Sequence, residues 1–238
     1  MAFLYETHLH TKEGSVCGVS PGREYVRKYL DLGYTGIIVT DHFFRGNCRV
    51  DRNYPWNKWV DKFCSGYENA REEGARLGLD VFFGWEETIG ENDYLVYGLD
   101  KDWLLEHPEV IDWDQYEQFE EVRRHGGCVV HAHPYRYSRH HDKSLSAAKR
   151  HVHAIEAANF GNCRSSNILA FSTAKKMNVT ATAGSDIHSA RDILLDNVFG
   201  VYLDKKMETI ADYVNAVLNN NISSLKVPRG YFKSDSDS

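Results

Sequence analysis

The chain reads as an α/β protein. Its mostly parallel sheet is rolled into a closed or distorted barrel, with the chemistry at the C-terminal ends of the strands. Short apolar runs rich in β-branched residues alternate with amphipathic helical stretches, the pattern of strand–helix–strand units. Seven or eight such runs suit a barrel better than a small open sheet, and α/β barrels routinely reach 238 residues as one domain. Five polar groups, His8/His10, Asp41/His42, Glu86, His133 and Asp186/His188, each follow an apolar run directly. In barrels that end of the strand is where active sites are built. Unrelated surface residues have no reason to collect at equivalent ends of five strands.

The first strand, Ala2-Phe3-Leu4-Tyr5, runs into Glu6-Thr7-His8-Leu9-His10. Residues i and i+2 of a strand share a face, so both imidazoles can reach one point, as a metal site requires. Taken alone, a His-x-His pair is more often two unrelated histidines; each later cluster weakens that reading. Gly14, Gly18 and Gly22 mark a loop, Pro21 opens a helix over 23–32, and Gly33 stops it. Residues 35–40 form a buried strand ending in Asp41-His42, followed by a polar loop to residue 55 and a helix over 58–77. A third strand, 81–85, ends in Glu86-Glu87. Adjacent side chains of a strand point to opposite faces, so only one of the pair reaches the cluster. Gly84 shares the face of Glu86 and is expected to leave room there for the metal site. Residues 93–98 form a fourth strand, and 116–125 a helix closed by Gly126-Gly127. The strand 128–130 runs into His131-Ala132-His133-Pro134, and the strand 152–157 carries Glu156 and Asn159 to the site face. A helix over 166–177 precedes Thr180-Ala181-Thr182-Ala183, which leads to Gly184-Ser185-Asp186-Ile187-His188. A strand at 198–203 and a helix at 207–218 complete one domain over 1–233; the polar tail 234–238 is expected to be disordered.

Composition narrows the class. With 42% hydrophobic residues the chain is an ordinary soluble globular protein. A net charge of −6 argues weakly against long nucleic acid as partner. No apolar run approaches the roughly 20 residues that span a bilayer, and there is no basic-then-apolar leader. The five cysteines, Cys17, Cys48, Cys64, Cys128 and Cys163, are scattered without a C-x-x-C pair. That argues against a disulfide framework or a zinc finger and fits the cytoplasm. No Walker-type phosphate loop is present.

As an ordered set, His8-x-His10, Thr40-Asp41-His42, Gly84-x-Glu86, Ala132-His133-Pro134 and Gly184-Ser185-Asp186-x-His188 resemble the successive motifs of the PHP (polymerase and histidinol phosphatase) family. The resemblance runs from His8 to His188. It implies a distorted (β/α)7 TIM-like barrel, two or three divalent metal ions, and phosphoester hydrolysis by attack of a metal-bound hydroxide. It also implies that His8, His10, Glu86 and Asp186 hold one metal, that Glu86 bridges to a second bound by His133, and that His42 and His188 hold a third. Asp41 is either part of the chemistry or a group that accepts a hydrogen bond and orients its neighbours.

Two departures bear on the number of metals. Many relatives have a further histidine on the strand after Glu86; here the sequence is Asn92-Asp93-Tyr94, so the second metal is weakly held or is completed by Asp93, Tyr94 or water. At the third site the loop after His10 offers Cys17, a thiolate ligand or an ordinary buried cysteine. Beside the cluster, Arg136, Arg139 and Arg45 are candidate phosphate ligands, because guanidinium forks fit phosphate oxygens. For Arg139 a solvated loop is the better reading. Trp56, Trp59, Phe63 and Tyr67 are read as packing. Mixed imidazole and carboxylate ligands suit Zn²⁺, Mn²⁺ or Fe²⁺ alike. The sequence thus points to a hydrolase of a small phosphorylated substrate. A C–N hydrolase of the same barrel class, or a non-catalytic metal-binding regulatory domain, is the alternative.

Overall fold

A computed structural model describes residues 2–136 and 151–232. Arg139 and the tail 234–238 lie outside the described residues. Nine strands form one sheet in the order β7-β6-β5-β4-β3-β2-β1-β8-β9. They are β1 (Phe3–Glu6), β2 (Gly36–Val39), β3 (Asp80–Ile89), β4 (Asn92–Tyr97), β5 (Cys128–His131), β6 (Ala154–Asn159), β7 (Thr180–Gly184), β8 (Gly200–Leu203) and β9 (Ser224–Lys226). Just past β1 and β7 the chain meets itself. Leu9 bridges Ile187 in parallel, and His10 N–H donates to the Ile187 carbonyl at 2.9 Å, so the sheet almost closes into a barrel.

The α/β barrel expectation holds, with one revision of strand direction. The pairs β1–β2, β2–β3, β5–β6 and β6–β7 are parallel, but β4 is antiparallel to both β3 and β5, and β8 is antiparallel to β1. Only Gly90-Glu91 separates β3 from β4, and two residues can close a hairpin but not a crossover. Gly90 takes a φ of 63°, which glycine adopts freely. Between β7 and β8 there is no crossover α-helix, only a loop with a 3-10 turn at Ala190–Asp192. One consequence reaches the site. The rim that holds the C-terminal ends of β1, β2, β3, β5 and β7 also holds the N-terminal end of β4.

The helices are α1 (Gly22–Asp31), α2 (Trp56–Phe63), α3 (Ser65–Leu77), α4 (Lys101–Glu106), α5 (Gln115–Arg124), α6 (Arg164–Met177) and α7 (Ile210–Leu218). The single helix expected over 58–77 is two, broken at Cys64. A capping box of Asp114 and Glu117 starts α5, worth about 1 kcal/mol. Helix α1 buries Tyr25, Val26 and Tyr29 against the sheet, and two of these reach the site end of β1. Tyr25 donates to the His10 carbonyl at 2.8 Å, and Tyr29 to Glu6 Oε2 at 2.7 Å. Beside His42, Phe43 sits in an aromatic core with Trp59, Phe63 and Trp85, ring centroids 5.2–5.3 Å away. Each such ring stabilises by roughly 2–3 kcal/mol through burial. These aromatics are packing that anchors the strand ends beneath the site.

Candidate metal centre

The centre begins with Glu6, the last residue of β1, which is fully buried. Its Oε1 accepts from the backbone N–H groups of Thr7, His8 and Ser185, each at 2.9 Å. Its Oε2 accepts from the hydroxyls of Tyr29 and Ser185. Burial pushes the carboxyl above its usual range, and the donors pull it back only in part. The cage ties the end of β1 to the end of β7 and sets the backbone from which His8 and His10 project.

Both histidines are locked through Nδ1. His8 Nδ1 lies 2.9 Å from Glu156 Oε1 and acts as donor to that carboxylate. The Ser15 hydroxyl donates its only proton to Asp41 Oδ1 at 2.7 Å. Its oxygen therefore accepts from His10 Nδ1–H at 3.2 Å and from His42 N–H at 3.0 Å. With both Nδ1 atoms protonated, the Nε2 atoms of His8 and His10 face each other at 3.1 Å. Two bare lone pairs at that distance repel. A cation between them relieves this, either a proton on one ring or a metal on both. Burial alone would strip the proton from His8, but Glu156, Asp186 and Glu86 hold its pKa well above the usual value. Burial and the neighbouring His42 bring His10 down to about 3.

Glu86 occupies the middle. Its side chain is fully buried, with Oε1 2.8 Å from His133 Nε2 and 3.5 Å from His8 Nε2. Oε2 lies 2.8 Å from His42 Nδ1 and 3.3 Å from His10 Nε2. Burial would raise its pKa, yet His42 and His8 bring it well below the carboxylate range. Glu87 turns the other way, as strand parity requires, and accepts from Arg45 Nε at 3.2 Å and its neighbour Thr88 N–H at 2.9 Å. The opening at Gly84 has another use than expected: a Cβ there would meet the Tyr97 ring at 2.9 Å, so the space is filled by an aromatic side chain. The glycine that makes room for the cluster is Gly184, where a Cβ would meet His8 Cβ at 2.5 Å and Glu156 Oε1 at 2.8 Å.

Asp186 closes the ring of donors. Its Oδ1 lies 3.0 Å from His10 Nε2, 3.6 Å from His8 Nε2 and 3.7 Å from His188 Nε2. Its Oδ2 pairs with the Arg136 guanidinium. The residue sits at φ 54°, left-handed backbone that costs a non-glycine residue roughly 1–2 kcal/mol and is held by His8 C=O accepting from Asp186 N–H. Glu156 serves as a strut: besides His8, it accepts from His133 N–H at 2.8 Å and Asn159 Nδ2 at 2.9 Å.

The donor set fits divalent cations. Four triads each bring ligand atoms within 4.8 Å of one another: His8/His10/Glu86, His8/His133/Asp186, Glu86/Asp93/His133 and His10/His42/His188. Two ligands at about 2.0–2.1 Å from one tetrahedral zinc stand roughly 3.3 Å apart. The 3.0–3.6 Å separations among His8, His10, Glu86 and Asp186 bracket that spacing. His42 Nδ1 and Glu86 Oε2 are buried and 2.8 Å apart, a separation that a shared proton or a common cation would bridge.

The sequence-predicted residues divide into those brought together and those held apart. His8, His10, His42, Glu86, His133, Asp186 and His188 converge. Asp41 does not join them. Its oxygens accept from Thr11 N–H and Thr11 Oγ1, both at 2.6 Å, and from Ser15, so a direct catalytic role gives way to holding the loop that orients His10. Arg45 donates Nε to Glu87, on the side of β3 away from Glu86, and Nη1 to the Trp113 carbonyl at 2.6 Å, while its buried Nη2 has no acceptor among the described residues. The Cys17 thiol touches His188 and His42; burial would raise its pKa, and those rings bring it down to about 6. It belongs to none of the four triads. Tyr94 is buried and stacks on His131, whose Nε2 meets Asn92 at 3.1 Å, so neither ring faces the cluster. Sequence reasoning missed Glu6 and Ser15. Glu6 was visible as a carboxylate in phase with His8 and His10; Ser15 carried no signal.

No protein-family model matches the sequence, and no curated protein sequence matches it. Solved structures do match the fold. A Bifidobacterium adolescentis protein assigned by inference as a metal-dependent phosphoesterase superposes with a TM-score of 0.57 at 16% identity, over 92% of this chain and 96% of that one. A two-domain Bacteroides vulgatus protein containing a predicted PHP-like metal-dependent phosphoesterase gives 0.65 at 17% identity, over 95% of this chain and 65% of that one. An amidohydrolase from Chromobacterium violaceum, solved with sulfate and no metal, gives 0.57 at 13% identity, over 98% and 99%.

Proposed function

We propose, on the premise of a PHP-like metal-dependent hydrolase fold carrying this donor cluster, that the chain is a phosphoesterase acting on a small phosphorylated molecule. Arg136 carries the reading. One Nη donates to Asn159 Oδ1 at 3.1 Å and to Asp186, while the buried Nε has no acceptor among the described residues. A buried donor left unpaired costs about 1–3 kcal/mol, and a phosphoryl oxygen at the cluster would satisfy it. Two or three divalent cations, Zn²⁺, Mn²⁺ or Fe²⁺, would acidify a water and offset charge on the phosphoryl oxygens. His8, His10, Glu86, His133, Asp186, His42 and His188 would hold them. Arg136 would orient the phosphoryl group, and Asp186 would hold Arg136 in place through the carboxylate oxygen turned away from His10. His188, a third exposed, stands nearest solvent, where the remainder of a substrate would lie.

A second reading, C–N bond hydrolysis, is favoured by the fold shared with a protein called an amidohydrolase. The net charge of −6 supports a small substrate over long nucleic acid. All five cysteines are unpaired, in keeping with a reducing cytoplasm, and no helix among the described residues is long and apolar enough to cross a membrane. The test is a panel of phosphomonoesters and amides offered to protein reconstituted with each metal. Phosphate release that is lost on chelation and in Asp186→Ala supports the proposal. Ammonia release without phosphate would replace it with the second reading.

A further inference from the structure

We infer that Asn159 positions Arg136 for a phosphoryl group, and that Asn167 and Tyr231 hold Asn159 in turn, so that the C-terminal segment 227–232 is part of the substrate-binding apparatus. The inference deepens the phosphoesterase reading above and rests on it. It starts from an irregularity in β6. Residues three apart on a regular strand face opposite sides, so Glu156 and Asn159 should point apart. They do not, because β6 bulges. Glu156 pairs with Thr182, Ala158 with Ala183 and Asn159 with Gly184, which leaves Ala157 as the extra residue. Beyond the bulge Asn159 faces as Glu156 does, and its Nδ2 donates to Glu156 Oε2 at 2.9 Å. Ionised carboxylates only accept, so the flanking Glu156 and Asp186 fix which end of the amide is nitrogen. The Oδ1 end then accepts from Arg136 Nη2 at 3.1 Å, the same nitrogen that pairs with Asp186. Nη2 is thereby occupied by the protein, while the buried Nε is left for a ligand.

Asn159 does not stand alone. Asn167 of α6, fully buried like Asn159, clamps its backbone from both sides. Asn167 Oδ1 accepts from Asn159 N–H at 3.3 Å, and its Nδ2 donates to the Asn159 carbonyl at 2.8 Å. The second Nδ2 proton goes to the Tyr231 hydroxyl at 2.9 Å. Tyr231 is anchored in its turn. Its carbonyl accepts from Arg164 Nε at 3.0 Å, and its ring lies 5.4 Å from that of Phe199 and 5.2 Å from that of Phe232. Phe232 stacks on Phe171 of α6 at 4.1 Å. A hydrogen-bonded path therefore runs from the C-terminal segment through Asn167 and Asn159 to the guanidinium. Packing alone would make this segment matter for stability. The path makes it matter for phosphate affinity as well.

The experiment uses the full metal-loaded chain and inorganic phosphate as probe, with binding read by calorimetry and metal per chain by mass spectrometry. Asn159→Ala should bind phosphate roughly 10-fold more weakly, the loss expected when a hydrogen bond to a charged group is removed, with metal per chain unchanged. Tyr231→Phe, which removes a single hydroxyl, should weaken phosphate roughly 3-fold, and it keeps the test decisive if Asn159→Ala does not fold. In an Arg136→Ala background neither substitution should weaken phosphate further, because the group that it positions is gone. With an ester substrate both variants should raise KM more than they lower kcat. Unchanged phosphate affinity in either variant, a loss that persists undiminished without Arg136, or a parent that binds no phosphate overturns the inference. If the parent still releases phosphate from esters in any of these cases, the phosphoesterase reading survives without it. Phosphate binding that couples Asn159 to Arg136, with no ester turned over, leaves the positioning role standing and removes the phosphoesterase.

Discussion

Replacing Glu86 by Gln tests the centre at its middle. The carboxylate lies within 3.5 Å of four imidazoles, one oxygen toward His133 and His8, the other toward His42 and His10. No other side chain belongs to both His8/His10/Glu86 and Glu86/Asp93/His133, so a single charge must neutralise ions on either side. At an effective dielectric of about 20, one unit charge 4 Å from another is worth about 4 kcal/mol. Glutamine keeps the shape and removes that charge. The expected loss is roughly a thousandfold in metal affinity or turnover, by the same conversion of free energy. Metal per chain by mass spectrometry, with phosphate release, reads both effects. Glu87→Gln is the matched control: one residue along the strand, equally buried, but bonded to Arg45 instead of the cluster. It should keep metal and a substantial part of the activity. A live Glu86→Gln beside a dead Glu87→Gln would falsify the ligand assignment and the strand register together.

Other expectations follow from the same contacts. Burial raises the Glu87 carboxyl to about 7 against the pull of Arg45, so the folded state binds its proton more tightly than the unfolded chain does. Glu87 therefore lowers stability as pH rises from the ordinary carboxylate range through 7, and Glu87→Gln should be less damaging to the Tm at pH 8 than at pH 5; the opposite trend would show that Arg45 dominates. Glu156→Gln leaves an acceptor for His8 but removes the charge that holds His8 and His133, and should weaken metal binding by roughly 10- to 100-fold with little change in circular dichroism. Gly184→Ala should displace His8 and cost about 1–3 kcal/mol of stability, visible as a lower denaturation midpoint; an unaltered midpoint would mean that the close approach is absent.

The convergence of seven ligands was legible because six sit just past the end of a strand, whereas β3 runs three residues beyond Glu86 into the hairpin, and strand parity separates neighbours such as Glu86 and Glu87. Parity also has a limit. His131 and His133 share a face on an ideal strand, but β5 ends at His131 and the backbone at His133 turns to φ 27°, which sends the two rings to different places. Strand direction was harder to read. The runs before and after Gly90-Glu91 look alike whether the chain crosses over or folds back, and the two-residue gap carried the answer. Thr88 and Asp93 became partners only through that hairpin. The break at Cys64 was hard to read because α2 and α3 continue one helical pattern without a proline at the junction, and a single glycine, Gly66, is tolerated inside a helix. Glycine beside a ligand is ambiguous in the sequence, since both Gly84 and Gly184 lie two residues before a cluster carboxylate; only packing decides that Tyr97 fills one opening and His8 the other. Long-range polar contacts, such as Glu6 with Ser185 and Ser15 with Asp41, have no sequence period at all.

The central claim is a cation cluster organised around Glu86. Its most direct test is anomalous scattering from crystals of the metal-loaded protein, collected at the absorption edge of the bound metal. The account predicts two peaks about 3.5–4 Å apart, one on each side of the Glu86 carboxylate, with His8 and His10 at the first and His133 at the second. Peaks only on surface residues, with none within bonding distance of Glu86, would contradict it.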